Sequence, residues 1–185
     1  AAYYFKYNGL NWVEEQIIYS SDLVAEDNFG ARVGIDNNRV VISANKNDGV
    51  GLDAGAAYIF DYNGSQFIES QKLTSISTQA GDAFGRGASI FNNTVLVGAH
   101  LESTGGLSAG SGYYYNKDGV NFNEVKEFTA DDFEPTTKFG FQTAVSNNFG
   151  LLNSYYDNDN GTSKFSSSES PLTAWSMSTF DEKVG

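Results

Sequence analysis

An alternating run of acidic and amide residues near the C-terminus has the clearest potential for metal chemistry in this chain. Asp157-Asn158-Asp159-Asn160-Gly161 places side-chain oxygens close together, and Ca²⁺ takes about six to eight oxygen ligands. The EF-hand form is excluded, because Ser168 stands where that loop needs a bidentate glutamate. Asp157 and Asp159 are the best candidates for calcium ligands in the chain, but the composition of the segment equally predicts a polar surface loop.

A second set of acidic residues precedes three Phe-Gly pairs. Asp27, Asp82 and the pair Asp131-Asp132 would suit hydrolysis by paired carboxylates if they met in space. Their recurrence favours a role in a repeated turn, because a catalytic constellation is usually a single asymmetric site. The chain has one histidine, His100, and no cysteine. We therefore predict no catalytic residue and a protein that is not an enzyme.

Aromatic residues form a third group of candidates. Trp12, Phe67 and Phe122 occupy equivalent positions in a repeat, which favours core packing over ligand stacking. Aromatic residues outside the repeated pattern are better candidates for an interface, where Tyr and Trp are enriched. These interface candidates are Tyr114, Tyr155, Tyr156 and Trp175.

The repeat itself is 55 residues long. The pairs Phe29-Gly30, Phe84-Gly85 and Phe139-Gly140 are separated by that interval, and it also relates Asn37-Asn38 to Asn92-Asn93. Self-similarity at one fixed period is the sequence pattern of a repeat architecture. We predict three repeats at 1–55, 56–110 and 111–161, followed by a divergent partial repeat or C-terminal tail at 162–185.

Turn residues divide each repeat into four short strand-like segments. Residues 58–62 and 66–73 flank Asn63-Gly64, which is the residue pair of a two-residue hairpin turn. This hairpin alternates in polarity and is expected to have one wetter face, whereas residues 95–97 are continuously apolar and are expected to be buried on both faces. Four antiparallel strands are typical of a propeller blade. The predicted fold is therefore all-β, with β-propeller blades of four antiparallel strands.

Three of these segments resemble a known repeat. Phe84-Gly85, the strand that ends at Val97-Gly98-Ala99-His100 and the entry to the next hairpin at 110–115 are similar to the FG-GAP repeat. That repeat occurs in the propeller heads of integrin α subunits and in many bacterial surface proteins, and the bacterial variety is the more similar. The resemblance covers residues 1 to about 150 and implies a β-propeller with a binding or structural role.

The chain departs from the integrin pattern where calcium would bind. The resemblance implies a loop of alternating Asp and Asn between the two strands after each Phe-Gly, but a tight Asn-Asn turn stands there in each copy. Two turn residues supply too few ligands for calcium. The expected cofactor is therefore none, or calcium at Asp157 and Asp159 only.

The chain length does not suffice for a closed ring. At 55 residues per repeat, 185 residues give fewer than four blades, whereas closed propellers typically have about four to eight. An open array leaves strand edges and apolar faces exposed. We expect an incomplete propeller, completed by further chain or by self-association.

The overall composition limits the choice of partner. The net charge of -12 opposes binding to nucleic acid, and no apolar run is long enough to insert in a membrane as a helix. We expect a secreted or cell-surface recognition module that binds protein or glycan. The alternatives are a structural self-assembling subunit and a hydrolase on a propeller scaffold. Three N-x-Ser/Thr triplets are candidate glycosylation sites: Asn63, Asn92 and Asn160.

Overall fold

A computed structural model describes residues 1–104, 106–130 and 135–155. Within these ranges the protein is all-β, with twelve strands and no helix, which confirms the predicted class. The strands are β1 (Ala2–Tyr7), β2 (Trp12–Ile18), β3 (Phe29–Asp36), β4 (Arg39–Ala44), β5 (Ala56–Tyr62), β6 (Phe67–Leu73), β7 (Phe84–Phe91), β8 (Thr94–Ala99), β9 (Ser111–Asp118), β10 (Asn121–Phe128), β11 (Phe139–Val145) and β12 (Gly150–Ser154).

The described strands form two complete antiparallel sheets between two partial ones. Blade one has the order β3-β4-β5-β6 and blade two the order β7-β8-β9-β10. Strands β1 and β2 form a two-stranded N-terminal half-blade, and β11 and β12 form a C-terminal half-blade. The prediction of four-stranded blades in an incomplete propeller is confirmed.

The blades are offset from the sequence repeats. Strands β4 and β5 pair along their whole length, from Arg39↔Asp61 to Ala44↔Ala56, across the repeat boundary at residue 55. Each blade therefore joins the second half of one repeat to the first half of the next. The units 1–55, 56–110 and 111–161 are periods of the sequence and do not coincide with the sheets.

Each Phe-Gly pair begins the first strand of a blade or half-blade. Its glycine is needed there for two reasons, a positive φ and a close approach to the backbone of the neighbouring sheet. Gly30, Gly85 and Gly140 have φ of 93°, 91° and 79°, a region that favours glycine. A Cβ on Gly85 would lie 2.7 Å from the carbonyl oxygen of Ala56, in the adjacent blade. The repeated glycine thus permits a close approach of neighbouring sheets.

The Asn-Asn pairs are turns, as predicted. Asn37 and Asn92 have φ of 50° and 51° in the links β3-β4 and β7-β8, and Asn tolerates this left-handed region better than most residues. In the third copy, Ser146 N donates to Phe149 O at 2.9 Å to close the link around Asn147-Asn148.

The Asn63-Gly64 hairpin is longer than predicted. Strand β5 ends at Tyr62 and β6 begins at Phe67, so the loop has four residues. The Asn63 side-chain oxygen accepts the backbone N–H groups of Ser65 and Gln66, each at 3.0 Å. The Asn63 side chain therefore forms a local turn of its own, and the two-residue prediction was wrong.

Apolar side chains fill the spaces between successive sheets. The cluster between the N-terminal half-blade and blade one contains Ile18, Phe29 and Tyr58, and the cluster between blades one and two is built around Val41 and Phe84. A third cluster joins blade two to the C-terminal half-blade: Leu96, Tyr114, Phe139 and Leu152. Apolar burial between sheets is the main stabilising contribution of such a fold.

Whether a strand residue is buried depends on whether a neighbouring sheet covers its side chain. Residues 95–97 are buried, as predicted, but residues 56–60 of β5 are also all buried. The expected wetter face of that strand is absent because neighbouring sheets cover both of its faces. Phe67 and Phe122 are core residues, as predicted, whereas Trp12 is exposed because no described sheet precedes the N-terminal half-blade.

Candidate functional site

Long loops gather at one end of the sheets and short turns at the other. Antiparallel strands reverse direction at each link, so alternate links lie at opposite ends. The short turns have two to four residues, whereas the links between β2 and β3, β4 and β5, β6 and β7, β8 and β9, and β10 and β11 are all longer. We call this second set the long-loop end.

Adjacent loops at this end are joined by backbone hydrogen bonds. Gly81 N donates to Leu52 O at 2.9 Å, and Thr136 N donates to Leu107 O at 2.8 Å, so each loop within a blade is tied to the loop that leads to the next blade. The long-loop end is therefore one continuous surface across the blades.

The recurring aspartates hold these loops. Asp27 is buried and its carboxylate accepts the Val24 N–H at 3.1 Å and the Asn47 side-chain amide at 2.9 Å. Asp82 is also buried and accepts the Gln79 N–H. Both residues stabilise a turn, as their recurrence predicted. Asp131 and Asp132 lie outside the described residues.

Blade one has a hydrogen-bonded network of charged and polar side chains at its long-loop end. Lys72 Nζ donates to Asp22 Oδ2 at 2.6 Å and to Asn47 Oδ1 at 2.8 Å, and the Tyr58 hydroxyl donates to Asp22 Oδ1 at 2.7 Å. Burial works against the charged form of Asp22, but the hydrogen bonds from Lys72 and Tyr58 outweigh it and hold its pKa below the usual value. The ammonium group of Lys72 thus compensates the acidic residues around it.

Blade two has a carboxyl group where blade one has this ammonium group. Glu127 stands 55 residues after Lys72, and Glu102 stands 55 residues after Asn47. Glu102 is fully buried and accepts the hydroxyls of Thr104 and Ser111, while Glu127 accepts the Ser77 hydroxyl at 2.9 Å. Glu127 Oε1 is buried without a hydrogen-bond partner.

These carboxyl groups affect one another. Burial raises the pKa of Asp82, and the nearby charges of Glu102 and Glu127 raise it further. Hydroxyl and backbone amide donors hold the carboxyl groups of Asp82, Glu102 and Glu127 in place. Within residues 1–104, 106–130 and 135–155, no three His, Cys, Asp or Glu side chains are arranged to hold a metal ion.

Exposed aliphatic side chains occur on several loops of the long-loop end. Leu52 and Leu107 occupy equivalent repeat positions and are exposed, as is Ile76 on the link between the blades. A groove of about 470 Å³ lies beside Leu23, Val24 and Lys46. These exposed aliphatic side chains and the groove are the candidate contact groups of the long-loop end.

The predicted interface residues are dispersed. Tyr114 is 7% exposed and packs between blade two and the C-terminal half-blade, so it has a packing role within the chain. Tyr155 is exposed, and its ring stacks on Phe141 with centroids 4.6 Å apart. Four predicted residues, together with Asn160, lie outside the described residues: Tyr156, Asp157, Asp159 and Trp175.

His100 follows β8 directly and is buried. Burial, followed by the positive charges of Lys138 and Arg32, lowers its pKa to about 4, and its Nδ1 has no hydrogen-bond partner. The imidazole ring meets the Phe141 ring edge to face at 5.2 Å. His100 is thus neutral at neutral pH and packs against aromatic groups.

Sequence reasoning missed the two networks under the loops. It considered non-recurring residues only among the aromatics, whereas Lys72 and Glu127 are informative because the charge reverses at one repeat position. Comparing the copies for reversals of charge would have found them.

The fold and loop arrangement define a propeller-type repeat module. The FG-GAP repeat model matches residues 12–60 and 67–115, which together make up more than half of the chain. The chain therefore belongs to the FG-GAP repeat family, whose repeats are typical of extracellular or surface proteins. A search of curated proteins gave no match. Among the described residues, no helix has the length and hydropathy of a membrane span.

Proposed function

We propose that this protein is a non-enzymatic recognition module of a secreted or cell-surface protein, and that its long-loop end binds a protein or glycan ligand. The observation that supports this most directly is the pair of exposed leucines, Leu52 and Leu107, on loops anchored to the next interblade link. Their backbones are fixed while their side chains face solvent. Binding through such preorganised apolar groups costs little ordering entropy.

The net charge of the chain supports the choice of ligand class. A charge of -12 disfavours nucleic acid and anionic membrane surfaces. Neutral glycans and proteins with basic or neutral surfaces are compatible with it.

An array of glycans and extracellular matrix proteins tests this proposal. The labelled chain is compared with a double variant, Leu52→Asp/Leu107→Asp, and with Val120→Asp, which changes an exposed residue of a short turn at the opposite end. We expect at least one ligand whose binding falls about tenfold or more in the double variant and is unchanged in Val120→Asp. No ligand, or a ligand that the double variant binds normally, contradicts the proposal.

Calcium binding at Asp157 and Asp159 stays a prediction from sequence. Isothermal titration of calcium into the full chain tests it, with Asp157→Asn/Asp159→Asn as the matched variant. Heat released by the native chain and lost in the variant supports the site. The absence of heat and of any increase in Tm contradicts it.

A structural self-assembling subunit is the second candidate function. The exposed aromatic side chains of the N-terminal half-blade favour it, since Tyr3, Phe5 and Trp12 form an apolar surface without a covering sheet in the described chain.

A further inference from the structure

A polar cavity lies at the end of the sheets opposite the long-loop end, in the space between blades one and two. It is lined by the β3-β4 turn, the end of β5 and the β7-β8 turn, and it has a volume of about 540 Å³. Ligand sites usually occupy about 300–1,000 Å³. We call this cavity the short-turn pocket. Its lining includes Asp36, Asn38, Arg39, Asp61, Tyr62 and Asn93.

Two charged side chains of the lining are held by hydrogen bonds that join the blades. Asp36 Oδ2 accepts the Asn92 N–H at 2.6 Å, and Arg39 Nη1 donates to Asn92 O at 3.4 Å. Arg39 Nε also donates to Asp61 Oδ1 at 2.6 Å, and its guanidinium carbon lies 5.2 Å from the centroid of the Phe122 ring. These side chains therefore have defined positions before a ligand binds, which lowers the entropic cost of binding.

The same lining retains unused hydrogen-bonding capacity. Four of its groups have no hydrogen-bond partner within the described chain: Asp36 Oδ1, Arg39 Nη2 and the side-chain amides of Asn38 and Asn93. A carboxylate oxygen accepts, a guanidinium nitrogen donates, and an amide does both. The pocket thus offers donors and acceptors side by side. A hydroxyl group is also both a donor and an acceptor, so a ligand with several hydroxyl groups matches this lining.

The charges of the pocket favour a neutral ligand. Asp36, Arg39 and Asp61, which we call the charged set, are two carboxylates and one guanidinium group. Burial opposes the charged form of Asp61, but hydrogen bonds from Ser70 and Arg39 outweigh it and hold its pKa below the usual value. The two carboxylates repel an anion, and Ca²⁺, which requires oxygen ligands, would lie beside the guanidinium group. A neutral ligand avoids both costs.

The charged set is not required by the turns themselves. The turn at Asn92-Asn93 has the same conformation as the turn at Asn37-Asn38, with φ of 51° and 50° at the first Asn. Uncharged residues stand at the positions of the second turn that are equivalent to the charged set: Phe91, Thr94 and Asn116. Turn formation therefore does not account for Asp36, Arg39 and Asp61.

Tyr62 adds an apolar surface to the polar lining. Its half-buried ring packs against the rings of Tyr4 and Phe67, with centroids 5.9 and 5.1 Å apart, so its orientation is fixed. An aromatic ring can pack against the C–H face of a sugar, while polar side chains bond to the hydroxyl groups at the edge of the sugar. The pocket contains both kinds of group.

We propose that the short-turn pocket is a second binding site, which takes a neutral sugar and bonds its adjacent hydroxyl groups through Asp36 and Arg39. The proposal is carried by the combination of fixed charged groups with free donors and acceptors in one interblade cavity. It goes beyond the ligand binding proposed for the long-loop end and does not depend on it, because the two sites lie at opposite ends of the sheets and share no residue.

Titration of the isotope-labelled full chain, followed by nuclear magnetic resonance, tests this site. The probes are glucose, galactose, mannose and N-acetylglucosamine, each added alone. For at least one of them, we expect saturable shifts of the Arg39 Nε–H resonance and of the side-chain amide resonances of Asn38 and Asn93, which belong to the lining.

Two variants remove the charged set with little change to the turns. Asp36→Asn keeps a side-chain oxygen that can accept a hydrogen bond. Arg39→Thr/Asp61→Asn introduces the residue types of the equivalent pair in blade two, Thr94↔Asn116, so it leaves no unpaired charge. Each change should weaken sugar binding about tenfold or more, with unchanged circular dichroism.

Two control variants separate this site from the rest of the surface. Val120→Asp changes another short turn at the same end, and Leu52→Asp/Leu107→Asp changes the long-loop end. Both should bind the sugar as the native chain does. A sugar whose binding falls only in the leucine variant supports the long-loop end as its binding site and overturns the short-turn pocket.

The proposal is also overturned if none of the four sugars produces saturable shifts in the lining, or if Asp36→Asn and Arg39→Thr/Asp61→Asn both bind normally. Calcium chloride and sodium phosphate are titrated in the same way. Saturable shifts of the lining with either salt, at lower concentration than with any sugar, would assign the pocket to an ion instead of a sugar.

Discussion

Blades one and two share their backbone and core but differ in the charge beneath their long loops. In blade one, Lys72 lies between Asp22 and Asn47, and these groups satisfy one another. In blade two the corresponding position is Glu127, and there burial raises the pKa of Asp82, to which the charges of Glu102 and Glu127 add. The repeat thus preserves what makes neighbouring sheets pack and allows the chemistry at the loop end to vary.

Core positions and positions below a loop differ in how strictly the structure restricts the side chain. Phe84 and Gly85 meet the core and backbone of an adjacent sheet, so their volume and φ are restricted. A side chain below a loop only needs partners, and Lys or Glu can each find them among nearby hydroxyl, amide and carboxylate groups. Recurring residues therefore report the fold, while the chemistry at a position below a loop can differ between copies.

The largest expected effect concerns the shared core. Phe84 is fully buried between two complete blades and its ring contacts those of Tyr113 and Tyr115 at 5.3 and 6.3 Å. We expect Phe84→Ala to lower the free energy of unfolding by about 3–5 kcal/mol, measured by urea denaturation. Phe29→Ala should cost less, because Phe29 packs between blade one and a half-blade. Equal losses would contradict the difference between complete and partial packing.

The next effect concerns His100, a position occupied by Asn45 in the preceding copy. The folded pKa of His100, about 4, lies below its usual 6.5, so the unfolded chain binds more protons between these values and stability rises with pH across that window. We expect the native chain to lose several degrees of Tm between pH 6.5 and pH 4 beyond the loss seen in His100→Asn. Parallel Tm curves for the two proteins would exclude this role.

The smallest effects come from the two networks and should have opposite signs. Lys72→Gln removes the ion pair with Asp22 and should destabilise the chain by about 1 kcal/mol or less at pH 7. Glu127→Gln removes a like charge near Asp82, so it should raise the free energy of unfolding by a similar amount. Denaturant titration of both variants at one salt concentration measures the two changes in the free energy of unfolding. The same sign for both would contradict the comparison.

The stability of these two variants should also differ in its dependence on pH. The pKa of Asp22 is lowered, so its contribution to stability is present above its unfolded pKa and is lost as the pH falls through the folded value. The pKa of Asp82 is raised, so the folded chain retains a proton there longer and stability declines as the pH rises through that window. Lys72→Gln should weaken the first dependence, and Glu127→Gln the second.

The sequence predicted the strands, the Asn-Asn turns and the family because these depend on local residue types at a fixed period. It did not predict the offset between repeats and sheets, because pairing of β4 with β5 across residue 55 is a property of the complete fold. The exposure of Trp12 also depends on what lies beside the chain, which no local pattern contains. The Lys72 network could not be predicted either, because the sequence does not show which loops meet at one end of a sheet.

Each blade joins two consecutive sequence repeats. Nuclear Overhauser contacts between Hα atoms test it directly, because these atoms lie close together in antiparallel pairs that do not exchange hydrogen bonds. We predict such contacts for Val41 with Ile59 and for Leu96 with Tyr114, the pairs that connect β4 to β5 and β8 to β9. Contacts of β4 only with strands from residues 1–36, and none with β5, would contradict the account.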